Sequence, residues 1–294
     1  MVRDANAELR VLASLPVFFV GGLPRSGTTW VQQLLNAHPN VVCLGESHFM
    51  NDLVPTLAAG AAAYGKRRAE GRDTWAPTVR GPRSALLAPM MQAAFLALVQ
   101  ENLGGRPVAG LAAIGEKTPD NIMHLPKIWS IFPKARFVNV IRDGRDGAVS
   151  AFIRFRSKLA PDMTRRDYMR AYGEGWSTRI RAARSLARGH AYHEIRYEAM
   201  HADPVAEASR LFGFLGADAG QGPVRAALAA ASFESLSGGR RQGQEDPSSH
   251  YRRGEVGGWA ETLSASEIAA FEDAAGAMMD ELGYARAADR AGAA

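Results

Sequence analysis

The chain is 294 residues long, 47% hydrophobic and carries a net charge of +5, which allows one substantial core or two small ones. Its lone cysteine, Cys43, excludes an internal disulfide and argues against a cysteine-based metal site. The basic excess is modest and scattered in pairs such as Arg165-Arg166 and Arg240-Arg241, with no aromatic-interleaved stripe, so a nucleic-acid partner is not expected.

In chain order, Arg3, Asp4, Glu8 and Arg10 precede the apolar run Val17-Phe18-Phe19-Val20. That run is too short for a signal core or a membrane span, so the expected location is the cytoplasm and no membrane span is expected. Its continuous, β-rich character predicts a buried strand. Gly21 to Gly27 reads as a turn, and Thr28 to Ala37 carries Trp30, Val31, Leu34 and Leu35 at helical spacing up to the stop at Pro39. Val41 to Leu44 predicts a second strand, with helical patterns around Asn51–Ala63 and Ser84–Leu103. Ala112 to Gly115 is a weak strand, Ile122 to Ile131 a helix, and Ala135 to Ile141 a strong strand. Helices over Asp146–Arg156 and Arg165–Ala187, a strand over Tyr192–Tyr197, and helices near Val205–Leu215 and Val224–Ala230 follow. Gly238 to Gly258 is a polar loop, and Ser264 caps a last helix that stops at Gly283. Alternating strands and helices predict an α/β fold of the P-loop type: three layers, a mostly parallel sheet flanked by helices, with helical insertions. No linker or repeat divides the chain, so one domain over 1–294 is expected, with a core over 14–284 and a tail, 285–294, that frays.

Gly21-Gly22-Leu23-Pro24-Arg25-Ser26-Gly27-Thr28-Thr29 lies between a buried strand and an amphipathic helix. In that setting backbone N–H groups curl around a phosphate and the helix N-terminus adds positive potential. Counted from Gly22, the spacing matches a nucleotide-triphosphate loop, but Thr28 stands where lysine belongs and the cation sits inside the loop at Arg25. A loop of this kind suits one 5′ phosphate bearing another transferable group. A second anion site is predicted where the strand Phe137–Ile141 delivers Arg142, with Ser150 two turns into the following helix. The competing reading makes Asp143 a helix cap and leaves the arginines in solvent. For Trp30 the alternatives are a core position or a stacking surface. No metal-ligand cluster stands out; His190 and His193 are the nearest pair and read as surface residues.

Pro24 to Trp30 resembles the 5′-phosphosulfate loop of sulfotransferases that use 3′-phosphoadenosine 5′-phosphosulfate (PAPS). With arginine at position 25, Gly21-Gly22 before it and Ala37-His38-Pro39 after it, the loop is more similar to tyrosylprotein sulfotransferases and many bacterial members than to the cytosolic ones. Arg142 with Ser150 resembles the 3′-phosphate motif. Tyr197-Glu198, Ser232-Phe233-Glu234, and Tyr251-Arg252-Arg253-Gly254 through Trp259 resemble three further elements around the nucleotide. The last of these forms a basic lid in relatives; here Gly258 replaces an acidic residue, which puts the lid's anchoring in question.

The resemblance implies a metal-independent in-line transfer of a sulfuryl group from PAPS to a hydroxyl or amine acceptor, with the bisphosphate PAP as product. Arg25, Ser26, Gly27, Thr28 and Thr29 would hold the 5′ end, and Trp30 and Phe233 would cover adenine. Arg142, Ser150, Arg252, Arg253 and Gly254 would grip the 3′ phosphate, with Tyr197 and Ser232 beside the nucleotide. Arg25 and Lys117, the latter in Glu116-Lys117-Thr118-Pro119, would stabilise the leaving group. Glu46, at the spacing from Arg25 seen in tyrosylprotein enzymes, is the first candidate for general base, His48 the second and His124 the third. The alternatives are a P-loop kinase-like phosphotransferase and a non-catalytic nucleotide-binding protein. A small molecule, a carbohydrate, a lipid and a peptide all remain open as acceptors.

Overall fold

The computed structural model describes residues 4–70, 82, 84–241, 243–244, 246 and 254–291. Among the described residues five strands are formed: β1 (Val17–Gly22), β2 (Val41–Leu44), β3 (Ala113–Lys117), β4 (Arg136–Ile141) and β5 (Tyr192–Arg196). All four pairings are parallel, and the order across the sheet is β2-β3-β1-β4-β5. β1 is therefore central and β2 is an edge. Because alternate side chains leave a strand on opposite faces, Phe18 and Val20 enter one core layer and Phe19 the other, all with no exposed surface. Each such burial contributes about 1.5–3 kcal/mol.

The layer under Phe18 and Val20 is closed by helices Thr28–Ala37, Pro204–Leu215 and Gln221–Ala230, through Val31, Leu34, Leu211 and Val224. The opposite layer is closed by helices Ser84–Glu101 and Leu125–Ile131 through Phe95, Val99 and Trp129. A third cluster sits past the carboxyl ends of β1 and β4. There Trp176 of helix Arg165–Leu186 and Phe271 of helix Ala265–Leu282 pack around Leu23 and Ile141. Among the described residues, helix Ser84–Glu101 is long and apolar enough, by length and composition alone, to cross a membrane. In the fold, its Met91, Phe95 and Val99 are buried in the core.

Several boundaries differ from the sequence reading. The helix expected over Asn51–Ala63 opens with a π-helical turn, Phe49–Leu53, and runs on to Ala69. The one expected over Ile122–Ile131 is a 3₁₀ turn, Pro119–Met123, followed by an α-helix only from Leu125, where His124 leaves helical geometry ahead of Pro126. A helix over Ala5–Ser14, capped by Asp4, was not anticipated, because only Leu12 of it is buried and the apolar periodicity is weak. Ala287–Ala291, in the tail expected to fray, is helical.

Candidate active site

β1 ends at Gly22, whose φ of +153° and close approach to the Val140 carbonyl leave no room for a side chain; a Cβ there would lie 2.5 Å from that oxygen. The loop then turns through Arg25, held at φ +74°, a conformation that costs a non-glycine residue energy and recurs at functional loops. Tyr172 Oη donates to the Pro24 carbonyl at 2.8 Å and the Ser26 amide to the Leu23 carbonyl at 3.1 Å, so the turn is pinned from both sides. Gly27, at φ +95°, starts helix Thr28–Ala37 without a side-chain cap. The first amides of that helix have no intrahelical partner and suit an anion.

The loop opens into a cavity of about 350 Å³. Arg25, Gly27, Thr28, Thr29, Trp30, Glu46, His48, Arg142, Ser150, Tyr197, Phe233 and Gly254 all line it. Ten of these come from the residues expected to bind nucleotide, and the chain separations among them exceed a hundred positions. Arg25 Nε donates to Ser150 Oγ at 3.0 Å, so the loop after β1 and the helix after β4 meet within one cleft. The two expected anion sites are thus neighbouring parts of a single cavity. Trp30 donates its indole N–H to the Ala231 carbonyl at 2.9 Å and packs edge-on against Tyr197, with ring centroids 5.5 Å apart. Its helix fixes it at the cavity wall, between the core and stacking roles weighed from sequence. Gly254, at φ +65°, lies against Phe233; a Cβ there would meet that ring at 2.4 Å.

Ser26 and Ser232 do not line the cavity. Ser26 is buried within the turn, and the Ser232 hydroxyl caps the short helix Phe233–Leu236 by accepting the Ser235 amide at 3.2 Å. Arg252 and Arg253 lie outside the described residues. Lys117, at the end of β3, does not itself line the cavity but is buried behind two residues that do: Nζ donates to Glu46 Oε1 at 2.7 Å and to Thr29 Oγ1 at 3.3 Å. The lysine side chain is 3% exposed and the glutamate 44%, so the carboxylate faces both the buried cation and solvent. Of the base candidates, Glu46 and His48 line the cavity, whereas His124 does not, and burial holds its imidazole below the usual histidine range.

The segment after Gly254 is anchored in a way the sequence did not reveal. Arg142 Nη2 donates to the Glu255 carbonyl at 2.7 Å. Asp146, in the first turn of the helix Gly144–Phe155 that follows Arg142, accepts the amides of Gly257 at 2.8 Å and Trp259 at 2.9 Å. The carboxylate missing at Gly258 is therefore matched by one from the opposite wall. Behind it, the fully buried Arg145 binds Asp143 through two hydrogen bonds of 3.0 and 2.7 Å and Glu272 at 2.7 Å, and lies 3.6 Å over the Trp259 ring. Asp143, capping the helix at Arg145 N, also passes its own amide to Glu198 at 2.8 Å, and burial pushes the Glu198 carboxyl up. The separation of four between Arg142 and Asp146 is visible in the sequence, and the two lie 3.6 Å apart although Arg142 precedes the helix; nothing local marks Arg145 as buried. Asp120, Arg154 and His201 also line the cavity and were not anticipated. Among the described residues, no group of three or more histidine, cysteine or acidic side chains gathers as a metal site. His190 stacks on Trp129 with centroids 4.0 Å apart, and His193 on Phe214 at 5.1 Å.

Comparison with known proteins bears on this cleft. Over 154 residues the chain is 30% identical to protein-tyrosine sulfotransferase 2 of Gallus gallus, covering 52% of this chain and 38% of that protein. It is 32% identical over 131 residues to protein-tyrosine sulfotransferase 1 of Danio rerio, covering 45% and 34%. The matched region thus spans little more than a third of the length of these curated relatives. Two solved structures share the fold at 16% identity: a mouse sulfotransferase complexed with PAP, with a TM-score of 0.54 over 92% of this chain and 88% of that one, and retinol dehydratase in a complex with retinol and PAP, with a TM-score of 0.53 over 94% and 86%. The profile of the Sulfotransferase family matches residues 16–220, a span that takes in the loop after β1, the Lys117–Glu46 pair and the Arg142–Ser150 arm, and the chain accordingly belongs to the sulfotransferase family.

Proposed function

We propose that this protein moves a sulfuryl group from PAPS to a hydroxyl acceptor. The observation that carries this reading is the meeting of four strand ends at one cleft: Arg25 with the uncapped helix start after β1, Glu46 after β2 with Lys117 of β3 bonded behind it, and Arg142 with Ser150 after β4. The residues present fit an adenosine 3′,5′-bisphosphate. Arg142 Nε is a buried donor without a hydrogen-bond partner, in a residue that lines the same cavity as Ser150 at the carboxyl end of the sheet, where α/β folds take their ligands. Thr28 in place of a loop lysine disfavours a triphosphate.

Bound PAPS would supply an activated sulfuryl group whose bond to the 5′-phosphate oxygen breaks as the acceptor oxygen bonds to sulfur. The amides and hydroxyls of Thr28 and Thr29 hold the 5′ phosphate, and Trp30 and Phe233 offer aromatic faces to adenine. Arg142 and Ser150 hold the 3′ phosphate. Lys117 and Arg25 neutralise charge on the departing phosphate, each worth about 10²–10³ in rate by analogy with removal of one preorganised donor. Glu46, 44% exposed, takes the acceptor's proton, and its contact with Lys117 at 2.7 Å orients it. The relatives named as protein-tyrosine sulfotransferases make a phenolic hydroxyl the first acceptor to try.

Thermal shift without magnesium tests the nucleotide: PAP should stabilise the protein and ATP and GTP should not. Turnover with labelled PAPS and a panel of phenols, sugars and amines tests the chemistry. Equal stabilisation by ATP would return the kinase-like reading, and PAP binding with no transfer to any acceptor would favour a non-catalytic binder.

A further inference from the structure

The mechanism uses Lys117 and Glu46 but leaves unexplained the residue between their supports. Glu116 precedes Lys117 on β3, has no exposed surface, and lies in register between Phe19 of β1 and Leu44 of β2. Burying a carboxylate costs several kcal/mol unless its lone pairs are met. Here three side chains meet them. Asn121 Nδ2 donates to Oε1 at 2.7 Å, while Thr118 Oγ1 and Ser47 Oγ donate to Oε2 at 2.9 and 3.1 Å. Burial still pushes this carboxyl up from its ordinary range.

These donors come from the segments after β2 and β3, and one of them also reaches β1. Asn121 also donates to the Val20 carbonyl at 3.1 Å, near the end of β1 where the phosphate loop begins. Thr118 also accepts the His48 amide at 3.3 Å. Ser47 is the residue directly after Glu46, in a tight turn where its amide reaches the Gly45 carbonyl at 2.7 Å. His48 follows at φ +50°, a conformation that needs outside support. Because adjacent strand residues point to opposite faces, β3 sends Lys117 to one side of the turn 45–48 and Glu116 to the other. The turn is gripped twice, by Lys117 through Glu46 and by Glu116 through Ser47 and Thr118. An apolar side chain at 116 would pack among the neighbouring Phe19 and Leu44 but leave three donors unmet.

Resting on the sulfotransferase reading, we propose that Glu116 is a positioning residue: it touches no reacting group, and it sets the Ser47–His48 turn so that Glu46 meets Lys117 and the acceptor at the correct distance. Glutamine can do much of this work. Its carbonyl accepts from Asn121, and its amide donates to the two hydroxyls, which reverse their own protons outward. Alanine can do none of it.

The test uses the full chain with Glu116→Ala, Glu116→Gln and Ser47→Ala. Labelled PAPS turnover is followed with the best acceptor of the panel and, in its absence, with water as acceptor; PAP affinity is measured by calorimetry. Displacing a reacting group by about 1 Å costs on the order of 10²-fold. Glu116→Ala should therefore lose about 10- to 100-fold in kcat with PAP affinity within about threefold, Glu116→Gln should recover to within about threefold of the parent, and Ser47→Ala should fall between them. A crystal structure of Glu116→Ala supplies a readout independent of turnover: the Glu46 Oε1 to Lys117 Nζ distance should lengthen from 2.7 Å. If that distance and kcat are unchanged, the positioning role is overturned. If Glu116→Ala does not fold, an unchanged kcat in Ser47→Ala overturns it equally. If the parent binds PAP but transfers nothing, the functional reading fails while the distance in the crystal still decides the role of Glu116.

Discussion

Replacing Arg142 by alanine tests the 3′-phosphate site in isolation. The guanidinium is 13% exposed, lies 4.3 Å over the Tyr197 ring, donates to the Glu255 carbonyl at 2.7 Å and sits 3.6 Å from Asp146. A hydrogen bond to a charged group in such a site contributes about 1.5–3 kcal/mol. Losing it should weaken PAP by about 10- to 150-fold. The protein should remain folded, because Asp146 keeps both amides of the 257–259 segment and Arg145 keeps its carboxylates. The variant loses the Glu255 hydrogen bond, the Asp146 ion pair and the Tyr197 ring contact, about 1–3 kcal/mol of stability. The assay is calorimetry with PAP and with adenosine 5′-monophosphate, which lacks the 3′ phosphate. Arg142→Ala should weaken PAP and leave the monophosphate within about threefold. An equal loss for both ligands would show that Arg142 acts on the fold or on the shared half of the nucleotide. No loss for either would remove the arginine from the site.

Three further outcomes are expected. Glu46→Gln should lower turnover by about 10²-fold or more, the scale of a positioned general base, with calorimetric PAP affinity within about threefold; turnover near that of the parent would pass the role to His48. Gly27→Ala forces a side chain to φ +95° and to 2.7 Å from Tyr197, so it should lose about 1–3 kcal/mol in chemical denaturation together with PAP binding, whereas an unchanged midpoint would show that the loop can relax. The third concerns pH. A carboxyl whose folded pKa is raised keeps its proton to higher pH in the native state than in the unfolded chain. Stability is therefore lost as pH rises from the ordinary glutamate value of 4.5 through the folded one, and the loss persists above it. Glu116→Gln removes that loss, so its melting temperature relative to the parent should be higher at pH 8 than below pH 4.5; a difference independent of pH would refute the raised carboxyl.

Local features made much of this protein legible in its sequence. The run Val17 to Val20, the glycine turn with Arg25, and the arginine after Phe137–Ile141 each carry their chemistry within a few consecutive residues, and each was found where expected. Helix Ala265–Leu282 was equally readable, because its capping box at Ser264 and left-handed stop at Gly283 are nearest-neighbour chemistry. The resemblance to sulfotransferases rests on those same segments, because each is a run of neighbouring residues.

Tertiary structure decided what depends on partners far apart in the chain. That Lys117 is buried against Glu46 follows from β3 lying between β1 and β2, an adjacency set by long-range strand pairing. The anchoring of the 255–259 segment on Asp146, the burial of Arg145 under Trp259 and the bond from Ser47 to Glu116 likewise join residues that no local periodicity relates. A charged residue read alone belongs in water; only when folding surrounds it with donors or counter-charges does burial become affordable, and those groups arrive from other strands and helices. Sequence fixes which groups can bind an anion or carry a proton, and packing fixes which of them meet.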